Sequence, residues 1–251
     1  MRAILERLLP FILPAALFAL WIVSTGSGSA PDALLVPPGR VWVALVGLIE
    51  NGELLDSLGV SLRRLLSGFI SGSVLGLVFG VLIALFRPLD EAASPTFQFI
   101  RQIPSVVFIP VFILLFGVQE LFKIAIVAKA AFFPVALAVY DAIRNLSVRH
   151  LEVASVYRLT HSQLVWNVML PATVPSLLSG LRISLSRSWL LLVAAELLAA
   201  DSGIGYMMQM GRQMFRIDLV MVGVLLTGTI GFLIDQSFRV AEKRLVRWRA
   251  T

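Results

Sequence analysis

The chain contains no cysteine, which excludes disulfides and thiol chemistry. It has only two histidines, His150 and His161, both inside one polar stretch, so no metal site is expected. Charge is scarce: 14% of residues are Asp, Glu, Lys or Arg, where a soluble domain carries about 25%. No Gly-x-x-x-x-Gly-Lys-Ser/Thr sequence occurs, so the chain lacks the loop that cradles nucleotide phosphates. Nor does any apolar segment hold a nucleophile–base or metal constellation, which argues against an enzyme working within the membrane.

What the chain has in abundance is apolar surface: 58% of residues are hydrophobic, and the mean hydropathy is +0.90. Six apolar runs stand out, at about 8–24, 65–86, 97–117, 121–140, 177–200 and 219–238. Each approaches the roughly 20 residues a helix needs to cross a bilayer. The runs are continuous and lack period-two alternation, so they are helices rather than barrel strands. The fold class expected is an all-α polytopic membrane protein with about six transmembrane helices. With the N-terminus inside, and basic residues at span ends counted with the loops, twelve are cytoplasmic, Arg101 among them, and six (Arg40, Arg63, Arg64, Lys123, Arg212, Arg216) lie opposite. That asymmetry places both termini in the cytoplasm. The basic tail after Phe238 would rest on anionic lipid, and the +6 net charge reads as topology rather than a nucleic-acid footprint.

Arg2 and Arg7 before an apolar stretch, then Ser27-Gly28-Ser29-Ala30, loosely resemble a signal peptide. Pro31 after the cleavage point and Pro10 and Pro14 within the stretch oppose this, so residues 1–30 are read as a first membrane helix. The whole of 1–251 is read as one permease-like domain with its core at 55–240.

The most informative segment is the polar stretch from Asp141 to Ala172, too long for a turn and too short for a domain. Thr160-His161-Ser162-Gln163 has the spacing of a capping box, with Leu159 and Leu164 placed for a hydrophobic staple. A compact helix-turn-helix offered to the aqueous side implies a partner.

Here the residues resemble a known family. Glu152-x-Ala154, Leu159 and Leu170-Pro171 resemble the cytoplasmic loop of bacterial ABC importer permeases of the binding-protein-dependent type. Gly180-Leu181-Arg182, Trp189, Val193-Ala194-Ala195-Glu196 and Ser202-Gly203-Ile204-Gly205-Tyr206 look like the branch that imports sulfonates, taurine and nitrate. Upstream, Ser61-Leu62-Arg63-Arg64, Ile103-Pro104 and Phe133-Pro134 match that branch too. The resemblance implies a type I importer permease fold in the bacterial inner membrane and a homodimer of this chain. It implies two separate ATPase subunits that hold ATP and Mg, no cofactor on this chain, and a periplasmic binding protein that delivers a small anion. The chain would be a non-catalytic transport subunit whose loop at 141–176 couples to the ATPase through Glu152, Ala154, Arg158, Leu159 and Pro171. Pro171 is expected to end the second loop helix before the next span. A gradient-driven anion carrier is the alternative, disfavoured by the coupling loop and by the lack of internal repeats.

One position departs from the family pattern. Arg158 stands where the loop usually has glycine, so the turn must be built differently or carry mild strain. Arg158 then either pairs with an acidic residue on a particular ATPase or simply complements a helix C-terminus.

Two basic residues lie near the middle of their spans, Lys129 and Arg187. Each costs roughly 2.5–3.5 kcal/mol in lipid, so neither should face it. Either they line a central pathway for an anion, or they neutralise Glu196 or neighbouring carbonyls. Arg182 shares a helical face with Ser186, Trp189 and Glu196, also candidate pathway residues; Arg187 lies about 140° away from it. Ser184 and Ser188 are further hydrogen-bonding candidates. Gly203, Gly205 and Tyr206, with Met207, Met208 and Met210, are expected to form an amphipathic lip at the outer gate. Pro37-Pro38 is expected to be extended and peripheral. Gly68, Gly72, Gly76 and Gly80 put small residues on one face of the second run, inviting close helix packing.

Overall fold

The computed structural model describes residues 2–26, 36–146, 154 and 156–245. All regular structure among them is helical: α1 (Arg2–Gly26), α2 (Pro38–Glu50), α3 (Glu53–Leu85), α4 (Arg87–Gln102), α5 (Phe108–Phe116), α6 (Glu120–Arg144), α7 (Leu170–Ala199), α8 (Ile204–Gln213) and α9 (Ile217–Leu245). Four described helices are long and apolar enough to cross a membrane, and a fifth crossing is made if α4 and α5 form one broken span. The first run is present as α1, apolar over Ile12–Gly26.

The centre of the molecule is α6. Its Phe122, Ile126, Val127, Ala131, Val135, Ala136 and Val139 are wholly inaccessible, because α3 covers one side and α7 another. The glycine stripe explains the first contact. A Cβ on Gly72 would stand 2.1 Å from the Ala128 carbonyl oxygen; on Gly76 and Gly80 it would stand 2.6 Å from those of Phe132 and Ala136. Only hydrogen fits between these backbones, as the four-residue spacing predicts. On the other side, a Cβ on Gly180 would come within 2.5 Å of Ala138 Cβ, so α7 also packs closely. α9 lies against α7, where Trp189 Nε1 donates to the Thr227 carbonyl at 3.0 Å.

The bend expected from Pro104 in the run at 97–117 is present, with α4 and α5 meeting at 88°, while several other expectations are corrected. Pro104 lacks an N–H and disfavours helical backbone at Ile103, which is extended (φ −72°, ψ 122°), and a 3₁₀ turn at Ser105–Val107 restarts the chain. Of Pro37-Pro38 only Pro37 is extended (φ −60°, ψ 145°); Pro38 opens α2, where its fixed φ is preorganised and its missing N–H costs nothing. Pro171 does not end a helix. A π-helical turn at Val165–Met169 leads straight into α7, and the helix is continuous over Ser162–Ala199, 38 residues. The widened turn absorbs the missing donor. Nor are the methionines a lip: Met207 and Met208 are buried, with Met208 side-chain atoms where a Cβ of Gly223 would stand.

Candidate functional site

At the end of the bundle where α6 begins, a buried ion cluster ties four helices together. Arg64 of α3 is 2% exposed and Glu196 of α7 is 1% exposed. Arg64 donates to Glu196 at 2.9 Å, to Glu120 Oε2 at 2.8 Å and to the Ser202 carbonyl at 2.7 Å. Ser61, one turn earlier, donates to the Glu196 carboxylate at 2.8 Å and accepts from the Ile204 N–H at 3.0 Å. The Gly205 N–H donates to Glu196 Oε2 at 3.1 Å. Gly203 is needed here, because its φ is +104° and a Cβ would fall 2.4 Å from Glu196 Oε1. Lys123, wholly buried, bridges Glu120 and Asp201 at 3.1 and 3.2 Å. Its ammonium holds the Asp201 carboxyl below the usual carboxylate range.

Glu196 is therefore neutralised by Arg64, not by Lys129 or Arg187. The motifs Ser61-Leu62-Arg63-Arg64, Val193-Ala194-Ala195-Glu196 and Ser202-Gly203-Ile204-Gly205-Tyr206 converge on one latch between α3, α7 and α8. Breaking such a buried pair costs about 3–5 kcal/mol, since one charge is left without a partner. This puts Glu196, Gly203 and Gly205 in a fixed joint, with Tyr206 half-buried beside it.

Lys129 and Arg187 come together elsewhere. Both line a cavity of about 380 Å³ at the α4–α5 break, walled by Pro104, Ser105, Phe133, Leu190, Leu191 and others. Lys129 Nζ donates to Ser105 Oγ at 3.3 Å and lies 3.9 Å from the Phe108 ring centroid and 5.2 Å from that of Phe133. Among the described residues no carboxylate lines this cavity. A second cavity, about 650 Å³, shares Arg101 and Arg187 with the first and extends along α6 and α7 past Asp141, Ser176 and Ser179. The second cavity lies towards the end of α6, next to Asn145 and Leu146. Arg101 is the member that sequence reasoning missed, since it was counted only as a topological charge. Its position just before the helix-breaking Ile103-Pro104 pair was the available signal.

Arg182, Ser186, Trp189 and Glu196 line neither cavity. Arg182 grips Asp235 of α9 with two hydrogen bonds, 2.6 and 3.0 Å, and Arg239 joins the same carboxylate at 3.1 Å. Trp189 is buried between α7 and α9. Ser184 and Ser188 are spent on the carbonyls of Leu181 and Val127. Ser186 is half-buried and lines neither cavity. The five-residue offset between Arg182 and Arg187 thus separates a helix clamp from a cavity lining.

In the polar stretch, Glu152 lies outside the described residues. Ala154 is buried, and the Leu159 N–H reaches back to its carbonyl at 3.1 Å. Arg158 adopts φ +48°, the left-handed conformation that glycine takes without cost. The capping box forms as spaced: the Thr160 N–H donates to Gln163 Oε1 at 2.9 Å, and the Gln163 N–H donates to Thr160 Oγ at 3.3 Å. Among the described residues no group of three or more metal-ligating side chains occurs.

Residues 72–247 match the family described as "Binding-protein-dependent transport system inner membrane component". The chain is 36% identical to the putative aliphatic sulfonates transport permease protein SsuC of Bacillus subtilis, over 95% of this chain and 86% of that one. It is 29% identical to the taurine transport system permease protein TauC of Escherichia coli, over 91% and 84%. In fold it is similar to a crystal structure of an amino acid ABC transporter with histidines, with TM-score 0.61, 16% identity and coverage of 80% and 97%.

Proposed function

The chain belongs to the family of binding-protein-dependent transport system inner membrane components, non-catalytic permease subunits of ABC importers, and we propose that it imports a small oxyanion in an ATP-driven complex. A sulfonate, taurine, nitrate or related organic acid would be delivered by a periplasmic binding protein. Two copies of this chain would surround the pathway, with two ATPase subunits on the cytoplasmic side holding ATP and Mg. Closure of the ATPases would pull on the loop around residues 152–159 and tilt α6 and α7, the helices on either side of it. Both line the cationic recess, so their movement would alter access to it.

The observation that carries the reading is the meeting of Lys129 and Arg187, from different spans, in a cavity whose described lining holds no carboxylate. Arg64 and Arg182, which tie helices together, are by contrast paired with carboxylates. Arginine suits a bidentate oxyanion and lysine supplies a point charge. Glu152, Ala154, Arg158 and Leu159 are proposed to meet the ATPase, with Pro171 setting the entry of the loop into α7. The Arg64–Glu196 latch is proposed to hold the outer end shut.

The test is uptake by vesicles holding this chain with its ATPase and binding protein, using labelled taurine, an alkanesulfonate, nitrate and an aromatic carboxylate. ATP-dependent uptake of one anion is expected, abolished by Glu152→Lys and weakened by Arg187→Ala. Uptake that follows an ion gradient without ATP would overturn the importer reading.

A further inference from the structure

Several helix cations are paired: Arg64, Lys123, Arg144 and Arg182 each have a carboxylate within ion-pair distance. Arg40, Arg63 and Arg212 have none among the described residues and sit exposed, away from the cavity at the α4–α5 break. Arg101, Lys129 and Arg187 also have none among the described residues, and these three gather around that one cavity. Arg101 donates only to the neutral Gln98 Oε1, at 3.1 and 2.9 Å. Lys129 donates to the Ser105 hydroxyl. Three cations line a recess of about 380 Å³, Lys129 half-buried and Arg101 and Arg187 exposed, so an anion entering there is attracted by more charge than it would meet beside a single cation.

The rest of the lining says which anion. Pro104, Val106, Phe133, Leu190 and Leu191 are apolar, and small-molecule cavities begin at about 300 Å³. A bare inorganic oxyanion would leave that surface wet. An ammonium group would meet three like charges, and the aromatic faces of Phe108 and Phe133 are already taken by Lys129. Asp141 lines only the adjoining cavity. Resting on the importer reading, we propose that this cavity is a binding site within the permease itself for an organic anion with one charged head and an apolar stem. It selects against bare oxyanions and zwitterions, and Arg101 is the third cation that holds the head. The permease then adds its own selection to that of the binding protein.

The absence of native cysteine makes the test direct. Ala194→Cys places one thiol in the cavity, and Leu190→Cys, at a side chain 65% exposed on the same wall, is the second choice should the first not fold. In membranes containing the assembled transporter, the thiol is treated with the anionic 2-sulfonatoethyl methanethiosulfonate or the cationic trimethylammonioethyl analogue. Rates are normalised to those with free cysteine. The anionic reagent is expected to be favoured by about tenfold or more, the range for a cleft lined by one sign of charge, and Arg101→Gln should reduce the preference severalfold. Butanesulfonate should protect the thiol, while nitrate and taurine at the same concentration should not. Equal normalised rates, or equal protection by nitrate or taurine, overturn the proposal. The labelling needs no ATP, so protection with gradient-driven uptake would sink the importer reading and leave the site standing. ATP-driven uptake without selective protection would do the reverse.

Discussion

An L-residue held at positive φ stores backbone energy that can be released only by changing the residue itself. Arg158 is such a residue, at φ +48°, closing a turn in which the Leu159 N–H returns to the Ala154 carbonyl. The left-handed conformation costs about 1–2 kcal/mol for a side chain with a Cβ. Two substitutions separate its charge from its strain. Arg158→Gly removes both and should stabilise the detergent-solubilised protein by up to about 1 kcal/mol, since glycine's greater unfolded entropy returns part of the gain. Arg158→Ala removes only the charge and should leave the thermal midpoint nearly unchanged. If the guanidinium pairs with the ATPase, both variants lose ATP-driven uptake alike although one is the more stable. Full uptake in both would leave Arg158 a helix-end cation and no more. The family pattern flagged this residue because a missing glycine is visible in a sequence. Phe215, at φ +57° in the α8–α9 turn, gave no such sign, because nothing in its neighbours demanded glycine there.

The helices themselves were legible where their cause is local and repetitive. The four-residue recurrence of Gly68, Gly72, Gly76 and Gly80 states both that α3 has a small-residue face and which face it is, and α6 lies on it. A matched pair of substitutions tests this. Gly72→Ala drives a methyl to 2.1 Å from the Ala128 carbonyl oxygen, whereas Gly59→Ala, in the same helix, meets nothing within 4 Å. Gly59→Ala should stabilise by about 0.5–1 kcal/mol, and Gly72→Ala should destabilise by about 1–3 kcal/mol through overpacking. Thermal unfolding of the two variants in one detergent decides it, and equal midpoints would mean that α3 and α6 are not in backbone contact. What could not be read was the break between α4 and α5. Pro104 announced a bend, but its 88° size depends on where the Arg87–Gln102 helix rests. Its amphipathic surface could satisfy several orientations. The pairing of Arg64 with Glu196 was hidden for a similar reason: the two residues belong to spans whose order in space is a tertiary fact. Lys129 and Arg187 could be singled out together in the sequence because charge in an apolar run is unusual by itself, and both line one cavity.

At the scale of the whole molecule, the two ends of the bundle differ in how their charges are arranged. Where α6 begins, Arg64 and Lys123 are enclosed by Glu120, Glu196 and Asp201, while the neighbouring Arg63 is exposed. At the other end of α6, the exposed Arg87 and Arg101 join the basic residues that close α9, and the capped polar stretch projects beside them. On the twelve-to-six distribution of basic residues, we propose that the polar stretch lies in the cytoplasm, where an ATPase can reach it, and the Arg64 latch outside. Single cysteines in the otherwise cysteine-free chain test the orientation. Asn145→Cys, at an exposed position where α6 runs out, should react with a membrane-impermeant maleimide only after the cells are opened. Met214→Cys, at a side chain 57% exposed in the turn between α8 and α9, should react in intact cells. The reverse pattern would put the polar stretch outside, beyond the reach of any cytoplasmic ATPase. It would leave the Arg101–Lys129–Arg187 recess opening outward, where an anion could enter with no ATPase to drive it.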